Sequence, residues 1–283
     1  MIEMEVKIMA IKMIVTDLDG TFYHRDFTYD RERFSHLYKQ MEEKDIRFVV
    51  ASGNQYYQLI SFFDHPEEMT FVSENGGYII SLGEELFSTE IDPKIYKNIL
   101  DILNQTDGIH GIVSCGKKAA YVLNTMSDDL YKMFNLYYYK LERIEDLYDV
   151  DDTILKMSIS VDEESADDIS QLLNQRLKGS LVAIVSGHGC IDFIVPGVHK
   201  GAGIQQLMKI WDIESHEIMA FGDAENDTEM LKLAGYGFVM KNGTETLKKR
   251  IQRICPYTND EDGELRMIEE YFENPDAFLK KYQ

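Results

Sequence analysis

Ile11-Lys12-Met13-Ile14-Val15-Thr16-Asp17-Leu18-Asp19-Gly20-Thr21 is the stretch from which the rest of the chain can be read. Ile11–Thr16 is short, mostly apolar and rich in β-branched residues, and it stops abruptly at acids and a glycine. That predicts a strand buried on both faces, as in a parallel sheet, running into a turn. On an extended backbone Asp17 and Asp19, two residues apart, point the same way. Gly20 permits a tight turn after them, and Thr21 offers a hydroxyl and an N–H to an anion. Taken alone, the same five residues also read as an acidic turn.

The pattern repeats outward from that point. Phe34, Leu37, Tyr38 and Met41 give Arg31–Lys44 a helical period. Ile46–Ala51 is a second apolar strand, stopped by Ser52-Gly53-Asn54. Residues 55–63 read as helix, and Thr70–Ser73 as a third strand closed by Glu74-Asn75-Gly76-Gly77. Strand and helix in alternation predict a doubly wound α/β sheet, whose ligands bind at the carboxyl ends of the strands.

The middle of the chain has another rhythm. A helix over Pro93–Asn104 precedes a hairpin of Gly111–Cys115 and Ala119–Asn124. A helix over Asp128–Tyr139, a strand over Ile154–Val161 and a helix over Glu164–Leu177 follow. A second hairpin, Leu181–Ser186 with Cys190–Val195, turns at Gly187-His188-Gly189. This predicts a small α+β domain with a mostly antiparallel sheet. From Lys200 the first rhythm returns: helix over Gly201–Ile210, strand over Glu217–Phe221, polar loop at 222–227, helix over Thr228–Ala234 and strand over Tyr236–Met240. An insertion within one doubly wound domain explains the order most simply, with core over 1–83, inserted domain over 84–189 and core again over 190–283.

Composition limits the partners. Across 283 residues the formal net charge is −21, which excludes a basic face for nucleic acid and docking on an anionic membrane. Met1–Ala10 lacks the basic start and long apolar run of a signal peptide, and no run reaches membrane-spanning length. Cys115, Cys190 and Cys255 are odd in number and scattered, as expected of reduced thiols in a cytoplasmic protein.

The second acidic cluster, Gly222-Asp223-Ala224-Glu225-Asn226-Asp227, also follows an apolar strand. Capping of the next helix would account for Asp223 or Asp227 singly. Four acids on two strand ends instead suggest an oxygen-lined site for a hard cation such as Mg²⁺. Ser52-Gly53 adds a hydroxyl and N–H groups, and Lys200 a point charge for an anion. Singly, both are common structural features. Tyr131, Phe134 and Tyr137–Tyr139 read as helix packing or as a substrate-facing rim. His188 reads as a hairpin tip or a loop residue over the site, and Tyr23 and His24 as neighbours of a leaving group. Lys248-Lys249-Arg250 reads as a solvated helix face.

In this order, D-L-D-G-T at 17–21, A-S-G-N at 51–54, Lys200 and G-D-A-E-N-D at 222–227 resemble the haloacid dehalogenase-like hydrolases. The long insertion, Glu74–Gly77, the stretch at 194–201 and Asn259-Asp260-Glu261-Asp262-Gly263 resemble their Cof-type phosphatases. The resemblance implies a Rossmann-like core with an α/β cap. It also implies a Mg²⁺-dependent phosphatase of small phosphorylated metabolites: sugar phosphates, nucleotides or cofactor phosphates. Asp17 would be the nucleophile and Asp19 the general acid–base. Mg²⁺ would be held by Asp17, Asp19 through its main-chain carbonyl, Asp223 and Asp227. Ser52 and Lys200 would serve catalysis, and Gly20, Thr21, Gly53, Asn54 and Asn226 would bind substrate. Many relatives carry Arg where Asn54 stands, and an amide cannot grip an anion as a guanidinium fork does. A phosphoryl-transfer mutase and a non-catalytic metal- or metabolite-binding regulator are the competing readings. The oligomeric state, monomer or weak dimer, is left open.

Overall fold

A computed structural model describes residues 10–187 and 189–283. His188, and all of the Met1–Ala10 reading except Ala10, lie outside those residues. Along the chain the strands are β1 (Met13–Thr16), β2 (Arg47–Ala51), β3 (Thr70–Ser73), β4 (Tyr78–Ser81), β5 (Glu84–Ser88), β6 (Ile109–Gly116), β7 (Ala120–Leu123), β8 (Leu141–Ile144), β9 (Ile154–Val161), β10 (Val182–Gly187), β11 (Cys190–Ile194), β12 (Ile218–Gly222) and β13 (Tyr236–Val239). The α-helices are α1 (Arg31–Glu43), α2 (Tyr56–Ile60), α3 (Pro93–Asn104), α4 (Asp128–Asn135), α5 (Ala166–Leu177), α6 (Lys200–Trp211), α7 (Thr228–Leu233), α8 (Glu245–Arg250), α9 (Gly263–Glu273) and α10 (Pro275–Lys281).

Contacts divide the chain into two units. The first comprises the described residues up to Ser52, Glu67–Val72 and His199–Gln283. Its strands run parallel in the order β13-β12-β1-β2-β3. β1, β12 and β13 are buried along their whole length, which is why they read as unbroken apolar runs rather than alternating ones. Helix α1 shows how locally such an element is specified. The Asp30 side chain accepts from the Arg33 N–H at 3.0 Å and caps it. Phe34, Leu37 and Met41 then fall on one face and are buried.

The second unit comprises Gly53–Pro66 and Ser73–Val198. β4 and β5 form an antiparallel hairpin. The other strands form a six-stranded sheet in the order β10-β11-β9-β6-β7-β8, antiparallel except for the parallel β7–β8 pair. Met157, Ile159 and Val161 of β9 join a core with residues of α3 and α5. Val113, Cys115, Ala120 and Val122 form a separate core with Phe134 and Tyr138.

Two expectations are corrected. Both domain borders move: 53–66 and 73–83, expected in the first stretch of core, group with the second unit, and Cys190–Ile194, assigned to the core by the border at 189/190, pairs with β9 and β10 in the second sheet. The helix over Asp128–Tyr139 stops at Asn135 because glutamine side chains take the next backbone groups. Gln58 Nε2 donates to the Leu136 carbonyl at 2.8 Å. The Gln55 amide both donates to and accepts from the backbone of Lys140, at 3.2 and 3.1 Å.

Candidate active site

The strand order of the first unit decides where a site can form. From β1 the chain proceeds outward through β2 and β3, then returns to place β12 on the other side of β1. The order reverses between β1 and β12, and a crevice opens outside the carboxyl ends of two strands that diverge in this way. Thr16 is in register with Phe221, so Asp17 and Asp223 leave neighbouring strands at that crevice.

Asp17 is buried and its N–H donates to the Phe221 carbonyl at 3.1 Å. Lys200 enters at the first turn of α6, capped by His199, whose Nδ1 accepts from the Ala202 N–H at 3.1 Å. The lysine is only 1% exposed. Its Nζ donates to Asp17 Oδ1 at 2.6 Å and to Asp227 Oδ1 at 2.7 Å. The other Asp227 oxygen accepts from the N–H groups of Asp223 and Ala224, at 3.0 and 3.1 Å. Asp227 therefore shapes its own loop and also pairs with Lys200. It makes no side-chain cap on α7 itself but caps the Glu225–Asp227 turn that leads into it, so capping accounts for one of its oxygens and leaves the other to Lys200.

Asp17, Asp223 and Asp227 each present a carboxylate oxygen, and these lie within 4.8 Å of one another. One ammonium among three carboxylates leaves negative charge uncompensated. Burial pushes the Asp17 carboxyl well up, against the pull of Lys200. Burial, with Asp227 beside it, pushes Asp223 up to about 7. A hard divalent cation fits this oxygen-only set. The Thr21 hydroxyl oxygen is buried with no hydrogen-bond partner, as suits a group awaiting an anionic oxygen.

Gly20 connects the two strand ends. Its φ is +75°, and a Cβ there would collide with the Asp223 carboxylate, so both backbone and space require glycine. The turn is held from outside by Asn242, which the sequence did not single out, and by Asn259, noted there only within the Asn259–Gly263 stretch of the resemblance. Asn242 Nδ2 donates to the Gly20 carbonyl at 2.7 Å, and Asn259 Nδ2 to the Tyr23 carbonyl at 2.7 Å. Asn242 lies three residues beyond β13, so the rule that flagged other strand ends could have found it. Below Asp17, the Thr16 hydroxyl lies 2.5 Å from Glu264 Oε2, and burial holds that carboxyl well above the usual range. A carboxyl in the first turn of a helix, where Glu264 stands, reads in sequence as an ordinary complement to the helix dipole and gives no such signal.

Asp17, Lys200, Asp223 and Asp227 are thus brought together. The Asp19 side chain is exposed in the turn after Asp17, and Asn226 is exposed in the turn Glu225–Asp227. Ser52 is buried at the end of β2, its N–H donating to the Val72 carbonyl at 2.9 Å. Gly53 and Asn54 group with the second unit. His24 binds Asp262 at 2.7 Å. Tyr131 donates to the Leu141 carbonyl at 2.9 Å and packs against its own sheet.

A family model for the haloacid dehalogenase-like hydrolases matches residues 14–268. The chain belongs to that family. It is an enzyme of the phosphatase kind. It is 37% identical over 271 residues to the 5-amino-6-(5-phospho-D-ribitylamino)uracil phosphatase YbjI of Escherichia coli, covering 95% of this chain and 99% of that one. It is 25% identical over 281 residues to the phosphatase YitU of Bacillus subtilis, named for the same substrate, covering 92% and 97%. Among solved structures, SMU.1108c of Streptococcus mutans is similar, with a TM-score of 0.85 and 36% identity over 94% of this chain and 100% of that one. No described helix is long and apolar enough to cross a membrane.

Proposed function

We propose that this family member is a Mg²⁺-dependent phosphatase working through an aspartyl-phosphate. The observation that carries the reading is Lys200, buried and bridging Asp17 and Asp227, with Asp223 beside them. In the first step an Asp17 carboxylate oxygen attacks phosphorus and the bond to the leaving oxygen breaks. Asp19 gives its proton to that oxygen. Asp19, now a carboxylate, then takes a proton from water, whose oxygen attacks phosphorus. The Asp17–phosphorus bond breaks and inorganic phosphate leaves. Mg²⁺ would be held by Asp17, Asp223 and Asp227, with the Asp19 carbonyl. When bound, it offsets the repulsion between an anionic nucleophile and an anionic ester. Lys200 orients the Asp17 carboxylate, while Thr21, Ser52, the N–H groups of Gly53 and Asn54, and Asn226 hold phosphoryl oxygens.

We take the substrate to be a small cytoplasmic phosphomonoester. The names of the two relatives make 5-amino-6-(5-phospho-D-ribitylamino)uracil the first to assay, beside sugar phosphates, nucleotides, pyridoxal phosphate and flavin mononucleotide. Asp17→Asn is expected to lower kcat at least about a thousandfold on every ester that the wild type hydrolyses, and a chelator to abolish turnover until Mg²⁺ is restored. Undiminished turnover by Asp17→Asn would refute the covalent route.

A further inference from the structure

The second unit contains a buried charge cluster that the chemistry above does not use. Lys156, on β9, is 3% exposed. Its Nζ donates to the Gly53 carbonyl at 2.8 Å and lies 3.2 Å from Glu74 Oε2 and 3.5 Å from Asp192 Oδ2. Glu74 is 2% exposed. The Lys156 ammonium also faces the Tyr138 ring at 5.8 Å, and the Cys115 thiol lies in the same electrostatic neighbourhood. Burial alone would strip the lysine of its charge, but Asp192, with Glu74, outweighs that and holds the ammonium.

All this converges on one dipeptide. The Glu74 N–H donates to the Asn54 carbonyl at 3.1 Å. A Cβ on Gly53 would lie 2.8 Å from Asn75 Oδ1, so the asparagine amide closes against the glycine. Glu74 and Asn75 reach these positions with φ values of 50° and 58°. Two consecutive non-glycine residues in the left-handed region cost free energy that the surrounding contacts must offset. The sheet face adds the lysine: Lys156 projects from β9 opposite to the apolar Met157, Ile159 and Val161.

We propose that Lys156 is a positioning residue for phosphate binding, clamping the Gly53–Asn54 peptide between β9 and the Glu74-Asn75 turn. The peptide is planar and trans, so fixing the Gly53 carbonyl on Lys156 aims the Asn54 N–H in the opposite direction. A hydrogen bond to a charged group is stronger than a neutral one, and burial shields this one from water. Glu74 and Asp192 keep the ammonium charged and in place. The inference rests on the reading of Ser52-Gly53-Asn54 as a phosphate-binding loop.

The test is titration of inorganic phosphate in the presence of Mg²⁺, followed by calorimetry, on the full chain. Lys156→Met is expected to weaken phosphate binding at least tenfold and to raise KM more than it lowers kcat. The Mg²⁺ concentration for half-saturation should stay within twofold. Because Lys156→Met strands two buried carboxylates, the double variant Lys156→Met/Glu74→Gln serves where the single one does not fold, and the same outcome is expected. Phosphate affinity within twofold of wild type in either folded variant would overturn the proposal. So would an equal loss of phosphate and Mg²⁺ affinity, which marks general disruption. A wild-type protein that binds phosphate but hydrolyses no ester would refute the phosphatase reading while leaving the clamp measurable. One that hydrolyses esters but binds no phosphate would overturn the clamp and leave the phosphatase reading standing.

Discussion

Asp223 is the residue at which burial and charge act most visibly together. Burial comes first and Asp227 second in pushing its carboxyl up to about 7, against about 3.9 in an unfolded chain. Between those values the folded, metal-free protein holds a proton that the unfolded chain has released. The contribution of this group to stability therefore falls as pH rises from about 4 to about 7, by an amount on the order of a few kcal/mol. Urea unfolding of metal-free protein across that window checks the slope, and Asp223→Asn should flatten it. Mg²⁺ competes with the proton, so the Mg²⁺ needed for half-maximal activity should rise as pH falls below about 7. Asp17, Asp223 and Asp227 were all legible in the sequence, since each is a polar stop or its near neighbour after an apolar run. Lys156, Glu74 and Asp192 were not read as one group. Their pairing depends on strand register and joins Lys156 to one carboxylate 82 residues before it and another 36 after it.

At the scale of elements, local chemistry set most boundaries. Helix α3 begins at Pro93 because the Asp92 side chain accepts from the Lys94 and Ile95 N–H groups, at 2.8 and 3.4 Å. It then buries Tyr96, Ile99, Leu100 and Leu103. Asp92→Ala should cost about 1 kcal/mol of stability, read as a lowered urea midpoint with kcat unchanged. The sequence predicted this helix with its observed bounds, because cap, proline and apolar stripe all agree. It missed β8, four residues with two charges, whose place depends on parallel pairing with β7. It also ran past the end of α4, where the competing groups are side chains from α2 and the residue before it. The basic run at 248–250 was read correctly as a helix face, and it lies in the last turn of α8, where cations suit the helix dipole.

At the scale of the molecule, the charge of −21 and the site are two separate facts. The excess acid speaks against large polyanions, while the buried Lys200 ammonium, joined by a hard cation in the function proposed above, would serve small ones. The doubly wound order was legible from alternation alone, whereas neither border was, because an apolar strand carries no mark of the unit it joins. The division into units has a further consequence. The chain passes from one unit to the other at 52/53, 66/67, 72/73 and 198/199. A protease cutting at any of these four points yields two fragments that both hold parts of the first unit. Neither fragment can complete that core alone, so a nicked molecule should behave as a complementing pair that travels together until denatured, and not as two released domains.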